Sequence, residues 1–139
     1  MECGSALQGI VTVPARHTHT ATVIFIHGLG QSNLTWRMVI LEALAPKLPH
    51  VQWILPQAPK RHVSLNHGHD RPSWFDVARL PPGQNEFDEQ AISESIGAIE
   101  ELILSQVHAG IDSRRIVLVG FSQGAALSLM DGYHLERDT

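Results

Sequence analysis

Cysteine is nearly absent: Cys3 is the only one in the chain. An internal disulfide framework is therefore excluded, and the composition fits a reducing compartment. Basic charge is not in excess either, since 10 Lys and Arg stand against 14 Asp and Glu, a formal net charge of −4. Without a basic face to neutralise phosphates, nucleic acid is not an expected partner. No apolar run approaches the ~18 residues of a membrane span, so no transmembrane segment is expected. Met1–Ser5 lacks the basic start and apolar run of a secretion signal, and Leu135–Thr139 is no prenylation or retention signal. Repeats and low-complexity tracts are also missing. Together these absences point to the cytoplasm, with Cys3 as an unmodified terminal thiol.

The remaining composition, 43% hydrophobic and 17% charged over 139 residues, is that of one globular domain. Four apolar runs read as strands: Leu7 to Val13, Thr22 to Ile26, Val51 to Leu55 and Arg115 to Val119. The second is short, β-branched and continuous, as expected of a strand buried on both faces. Helical periodicity lies between them. One helix is expected from Ser32 or Asn33 to about Lys47, and a longer one from about Glu86 to His108. In the longer helix Ile92, Ile96, Ile99, Leu102, Ile103 and Val107 follow the 3.6-residue period. Glu86, Asp88 and Glu89 suit its first turn, and Gly110 suits its end. A last helix starts at about Gln123. Strands alternating with helices predict an α/β fold with a mostly parallel sheet. The long connection from Pro56 to Asn85 has the length of a binding loop, anchored at Trp74-Phe75.

Gly120-Phe121-Ser122-Gln123-Gly124 fits Gly-x-Ser-x-Gly. A serine hydroxyl is a poor nucleophile until it is exposed and aligned beside a base. A sharp strand-to-helix turn exposes and aligns it, and flanking glycines permit the close backbone approach. The context agrees, with Ile116–Val119 before the motif and Ala125–Leu129 after it. Acyl transfer also needs donors for the oxyanion of a tetrahedral intermediate. The amide of Gln123 is one candidate, and that of Leu29, in His27-Gly28-Leu29-Gly30 after the second strand, is the other. Both would act through the backbone, so the Gln123 side chain is expected to matter less than the loop geometry around Gly28. His27 reads as a structural, hydrogen-bonded residue. Nine histidines invite a metal reading. His67-Gly68-His69-Asp70 and His17-Thr18-His19 sit in polar loops with no recognised ligand spacing, so no metal is expected.

The segments Val23–Gly30, Pro56–Pro59, Pro72–Asp76 and Gly120–Leu129, in that order, resemble the acyl-protein thioesterases of the carboxylesterase and phospholipase group, which are α/β-hydrolases. The resemblance runs from about Gly9 to Met130. It implies cofactor-free hydrolysis of acyl esters or thioesters, including S-palmitoyl cysteines on proteins, with Ser122 as nucleophile. It also implies that the loop carrying Trp74 helps to shape the acyl site. The family commonly has Asp where this chain has Gln31, which puts the hydrogen bonds of that Asp in question.

Triads on this fold run Ser, then Asp or Glu, then His. The resemblance places the last two well beyond Ser122, yet Thr139 follows soon after it. The expectation is a single, C-terminally truncated domain over 1–139, the N-terminal part of an α/β-hydrolase without the acid and base of the triad. His134 would lie about 18 Å along a continuous helix from Ser122, beyond hydrogen-bond reach. The alternative to a hydrolase is a non-catalytic acyl-binding or interaction module. With later strands missing, Ile116–Val119 would form an open apolar edge through which the chain self-associates.

Overall fold

A computed structural model describes residues 7–83 and 86–137, with the side chains of 133–137 outside the description. Cys3 and the side chain of His134 therefore lie outside the described residues. Four strands build the main sheet: β1 (Val11–Val13), β2 (Ala21–Ile26), β3 (Val51–Leu55) and, later in the chain, β6 (Ile116–Gly120). Their order is β1-β3-β2-β6. β2 runs parallel to both β3 and β6, with Ile24 opposite Ile54 on one side and Leu118 on the other. β1 is antiparallel to β3, pairing Val11 with Leu55. The first strand is shorter than its apolar run, although Leu7 is still buried in the core.

Alternation along β2 and β3 divides the interior into two cores. Ile24, Ile26 and Ile54 face one side with Trp74, Ile99 and Leu127. Phe25, Trp53 and Leu55 face the other with Ile40 and Val51. Strands buried on both faces explain why their sequences are continuous rather than alternating.

The segment expected as one helix to Lys47 is three. α1 (Asn33–Val39) has Ser32 as its N-cap, a π turn follows over Ile40–Leu44, and a 3-10 turn spans Ala45–Lys47. Pro46 has no amide to offer and its ring crowds the preceding turn, so the α ladder cannot continue. α2 (Glu89–His108) begins later than expected because the Asp88 side chain caps it, accepting from the Ala91 amide. Gly110, at φ +101, turns the chain out of the helix as anticipated. α3 runs Gln123–Arg137, straight through Gly132. The long connection holds a hairpin that the sequence reading did not anticipate, β4 (Lys60–His62) against β5 (Asp70–Pro72).

β6 is at the edge of the sheet, and alternate residues of it are open: Val117 is 51% and Val119 39% exposed. Among the described residues no helix is long and apolar enough to cross a membrane.

Candidate active site

β6 ends in Gly120, and α3 begins at Gln123, so only Phe121 and Ser122 make the turn between them. The turn requires Ser122 to adopt φ +53, the left-handed region that L-residues avoid at a cost of about 1–2 kcal/mol. Phe121 N–H donates to Ile26 O (3.1 Å) and Gly124 N–H to Phe121 O (2.9 Å), which fastens the turn to the end of β2. A methyl group on Gly124 would collide with the carbonyl oxygens of Ile26 and His27, and one on Gly120 with the backbone of Gly124. Both glycines of the motif are thus spacing devices that let α3 start on top of the sheet.

Ser122 is exposed, and it opens into a groove of about 320 Å³. Leu29, Gln123, Phe75, Val77, Phe87 and Met130 line that groove with it. The sequence-expected serine and both residues expected to supply oxyanion amides therefore meet in one concavity. Among the described residues neither the Leu29 amide nor the Gln123 amide has a hydrogen-bond acceptor. The two acids at the groove are engaged. Glu86 pairs with Arg79 at 2.9 Å, and Asp76 accepts from Ser64 Oγ at 2.6 Å and from Ser64 N–H at 2.8 Å. Burial acts to raise the Asp76 pKa, but the bonds from Ser64 and the Val77 amide and the charge of His62 together outweigh it and hold the carboxyl below its ordinary range.

His27 does not reach the groove. It is buried, its Nδ1 lies 2.7 Å from Gly28 O, and its Nε2 accepts from the Ala58 amide at 3.0 Å. Donating at Nδ1 and accepting at Nε2 is the pattern of one neutral tautomer. Burial pushes its pKa down, against the opposing pull of the Gly28 carbonyl. The ring ties the end of β2 to the loop after β3.

Trp74 is fully buried behind the groove rather than in its wall; the neighbouring Phe75, Asp76 and Val77 form the wall. Its indole N–H donates to His27 O at 2.9 Å. The side chain of Gln123 is engaged in its own right. It is buried, accepts from Trp74 N–H at 2.9 Å, and donates to Phe75 O at 2.8 Å and Ser73 Oγ at 3.2 Å. Gln31 also resolves an open question. Its Oε1 accepts from Gly28 N–H at 2.8 Å and from Trp36 Nε1 at 3.0 Å, so an uncharged amide orders this loop. Trp36 in turn packs between Phe25 and Phe121, at ring separations of 4.9 and 5.1 Å. Among the described residues no group of three or more His, Cys, Asp or Glu is placed to hold a metal ion.

Known proteins resemble this chain in sequence and in fold. The family model described as Phospholipase/Carboxylesterase matches residues 7–138. Acyl-protein thioesterase 1 of Yarrowia lipolytica is 47% identical over 123 residues, covering 88% of this chain and 54% of that protein. Acyl-protein thioesterase 1 of Cryptococcus neoformans is 46% identical over 121 residues, covering 86% and 50%. The crystal structure of Zea mays acyl-protein thioesterase 2 superposes with a TM-score of 0.75 at 35% identity, covering 88% of this chain and 50% of that one. The chain spans about half the length of the curated relatives it matches. The chain therefore belongs to the phospholipase/carboxylesterase family of α/β-hydrolases.

Proposed function

We propose that this chain carries the nucleophile side of a serine hydrolase of carboxylic esters or thioesters, acting without a cofactor. The carrying observation is Ser122 itself, held at φ +53 and exposed on an apolar groove that Leu29 and Gln123 also line. In this reading Ser122 Oγ attacks the acyl carbonyl, and the amides of Leu29 and Gln123 stabilise the resulting oxyanion. Phe75, Val77, Leu80, Phe87 and Met130 offer an acyl chain an apolar bed. Relatives named as acyl-protein thioesterases make S-acylated proteins the favoured substrates. The cytoplasm, where such proteins face a reducing environment, is the favoured location.

Among the described residues no histidine lines the groove, and His27 is committed elsewhere. The base and acid of the triad are therefore assigned to a part of the hydrolase other than the described residues. Oxyanion donors and binding alone leave a residual acceleration of roughly 10³–10⁴ over water. That same observation favours a second reading for the chain in isolation, an acyl-binding module with little turnover.

The test is a fusion of this chain to the portion of the Yarrowia relative that it does not span. Palmitoyl-thioester hydrolysis is expected in the fusion, at least a hundredfold above the chain alone, and lost in Ser122→Ala. Turnover that survives Ser122→Ala would overturn the assignment of the nucleophile.

A further inference from the structure

The segment Pro72–Phe75 is bonded to both sides of the groove floor. Toward the loop after β2, Gly30 N–H donates to Pro72 O at 2.8 Å, and Trp74 Nε1 donates to His27 O at 2.9 Å. Toward the serine turn, all of its polar contacts go to one side chain. Gln123 Oε1 accepts from Trp74 N–H, and Gln123 Nε2 donates to Phe75 O and Ser73 Oγ. From behind, Ser95 Oγ of α2 donates to Trp74 O at 2.6 Å, and Ser73 Oγ closes onto Phe75 O at 2.6 Å. Trp74, Ser73 and Gln123 are all buried. The segment is a strut between two loops that are remote in sequence.

We propose that the Gln123 carboxamide is a positioning residue which, through the Pro72–Phe75 strut, fixes the spacing between the Leu29 and Gln123 amides. The inference rests on the reading of those amides as oxyanion donors. A hydrogen-bond donor in a preorganised site acts fully only when it is held close to the productive geometry. Leu29 follows His27 and Gly28 and precedes Gly30, so the two bonds from the strut bracket it. Gln123 carries the second amide on its own backbone and grips the strut with its own side chain. One residue thereby supplies a donor and sets the distance to the other. The chemistry also explains why an amide is needed. The site presents one N–H, that of Trp74, and two acceptor oxygens, Phe75 O and Ser73 Oγ, about the carboxamide, which requires an acceptor and a donor on the same planar group. Glutamate keeps the acceptor but turns an oxygen toward Phe75 O. Methionine fills the space and keeps neither bond.

The experiment uses the fusion described above, which supplies the base and acid, and compares it as wild type with its Gln123→Glu and Gln123→Met variants, the second retained because an apolar side chain fits a buried position if the introduced carboxylate prevents folding. Folding is verified by amide protection along β2 and β3. Hydrogen exchange of the Trp74 indole N–H, followed by NMR, should accelerate at least tenfold in a folded variant. Labelling of Ser122 by an alkyl fluorophosphonate should show a limiting rate reduced at least tenfold with an unchanged half-saturating concentration. A stability effect alone would lower the labelled fraction instead. Unchanged Trp74 exchange, or a limiting rate equal to wild type, overturns the proposal. If wild type is labelled no more than Ser122→Ala, the hydrolase reading falls, and the Trp74 exchange still decides whether Gln123 holds the strut.

Discussion

At the scale of single residues, strain and burial make two sharp predictions. Ser122 occupies a left-handed conformation that glycine tolerates and alanine does not. Ser122→Gly should therefore be more stable than Ser122→Ala by about 1 kcal/mol, although both remove the hydroxyl. Chemical denaturation of the two variants side by side measures this, and equal midpoints would show that the turn relaxes. His27 gives the second. Its folded pKa is lowered, so the unfolded chain binds the proton more readily. Its contribution is complete above the ordinary imidazole value of about 6.5, and is lost as pH falls from there through the lower folded value. A protonated ring would also have to donate at Nε2, where it now accepts from the Ala58 amide. Unfolding temperatures from pH 8 to pH 5 should fall for wild type, and the gap to His27→Gln should narrow on the acid side. A constant gap would mean that the ring stays neutral in both states.

At the scale of elements, the end of α2 that faces the groove is the sensitive one. Asp88 Oδ1 accepts from Ala91 N–H at 3.2 Å as a helix cap, while Oδ2 accepts from the amide of Asp76 in the groove wall at 3.0 Å. Asp88→Ala should cost about 1–2 kcal/mol of stability, as cap losses do. Asp88→Asn, which keeps an acceptor for the helix, should recover about half of that. Thermal unfolding checks both, and an unchanged Asp88→Ala would show that water replaces the cap. Elements differ in how plainly their sequences announce them. β2 and β3 are legible because burial on both faces favours apolar runs, β6 because its Ile-Val-Leu-Val run is apolar although it lies at the sheet edge, and α2 because its apolar stripe repeats. The β4–β5 hairpin was not legible. Its strands, Lys-Arg-His and Asp-Arg-Pro, have no apolar face to leave a pattern. The site divides in the same way. Ser122, Leu29 and the backbone of Gln123 follow from local motifs. The grip of the Gln123 side chain on Ser73–Phe75 does not, because its partners lie about 50 residues away and nothing local marks them. The bonds of Gln31 were hidden for a similar reason: its partners, Gly28 N–H and Trp36 Nε1, are brought to it by loop geometry that no local motif marks.

At the scale of the whole molecule, the sheet is open on one side. Among the described residues β6 pairs only with β2, its sequence Ile-Val-Leu-Val-Gly carries no charge, and Val117, Val119 and Phe121 are exposed beside it. Edges of this kind recruit further strands. We expect the chain alone to self-associate. Val117→Lys combined with Val119→Lys should shift size-exclusion elution toward the monomer, since lysine blunts an apolar edge. A wild type that elutes as a monomer, with slowly exchanging amides over Ile116–Gly120, would count against it. The register of the sheet also sets an order of assembly. β1, β2 and β3 all come from residues 11–55 and can pair early, but Thr22 must wait for Ile116. Closing that larger loop is entropically dearer and slower. The serine turn depends on it, because Phe121 meets Ile26, and Gly124 slots against the same carbonyl, only once β6 is in place. A chain emerging from the ribosome thus passes through a stage with three strands formed and no reactive geometry at Ser122. Its nucleophile takes shape only with the pairing of β6 to β2, as a by-product of extending the sheet.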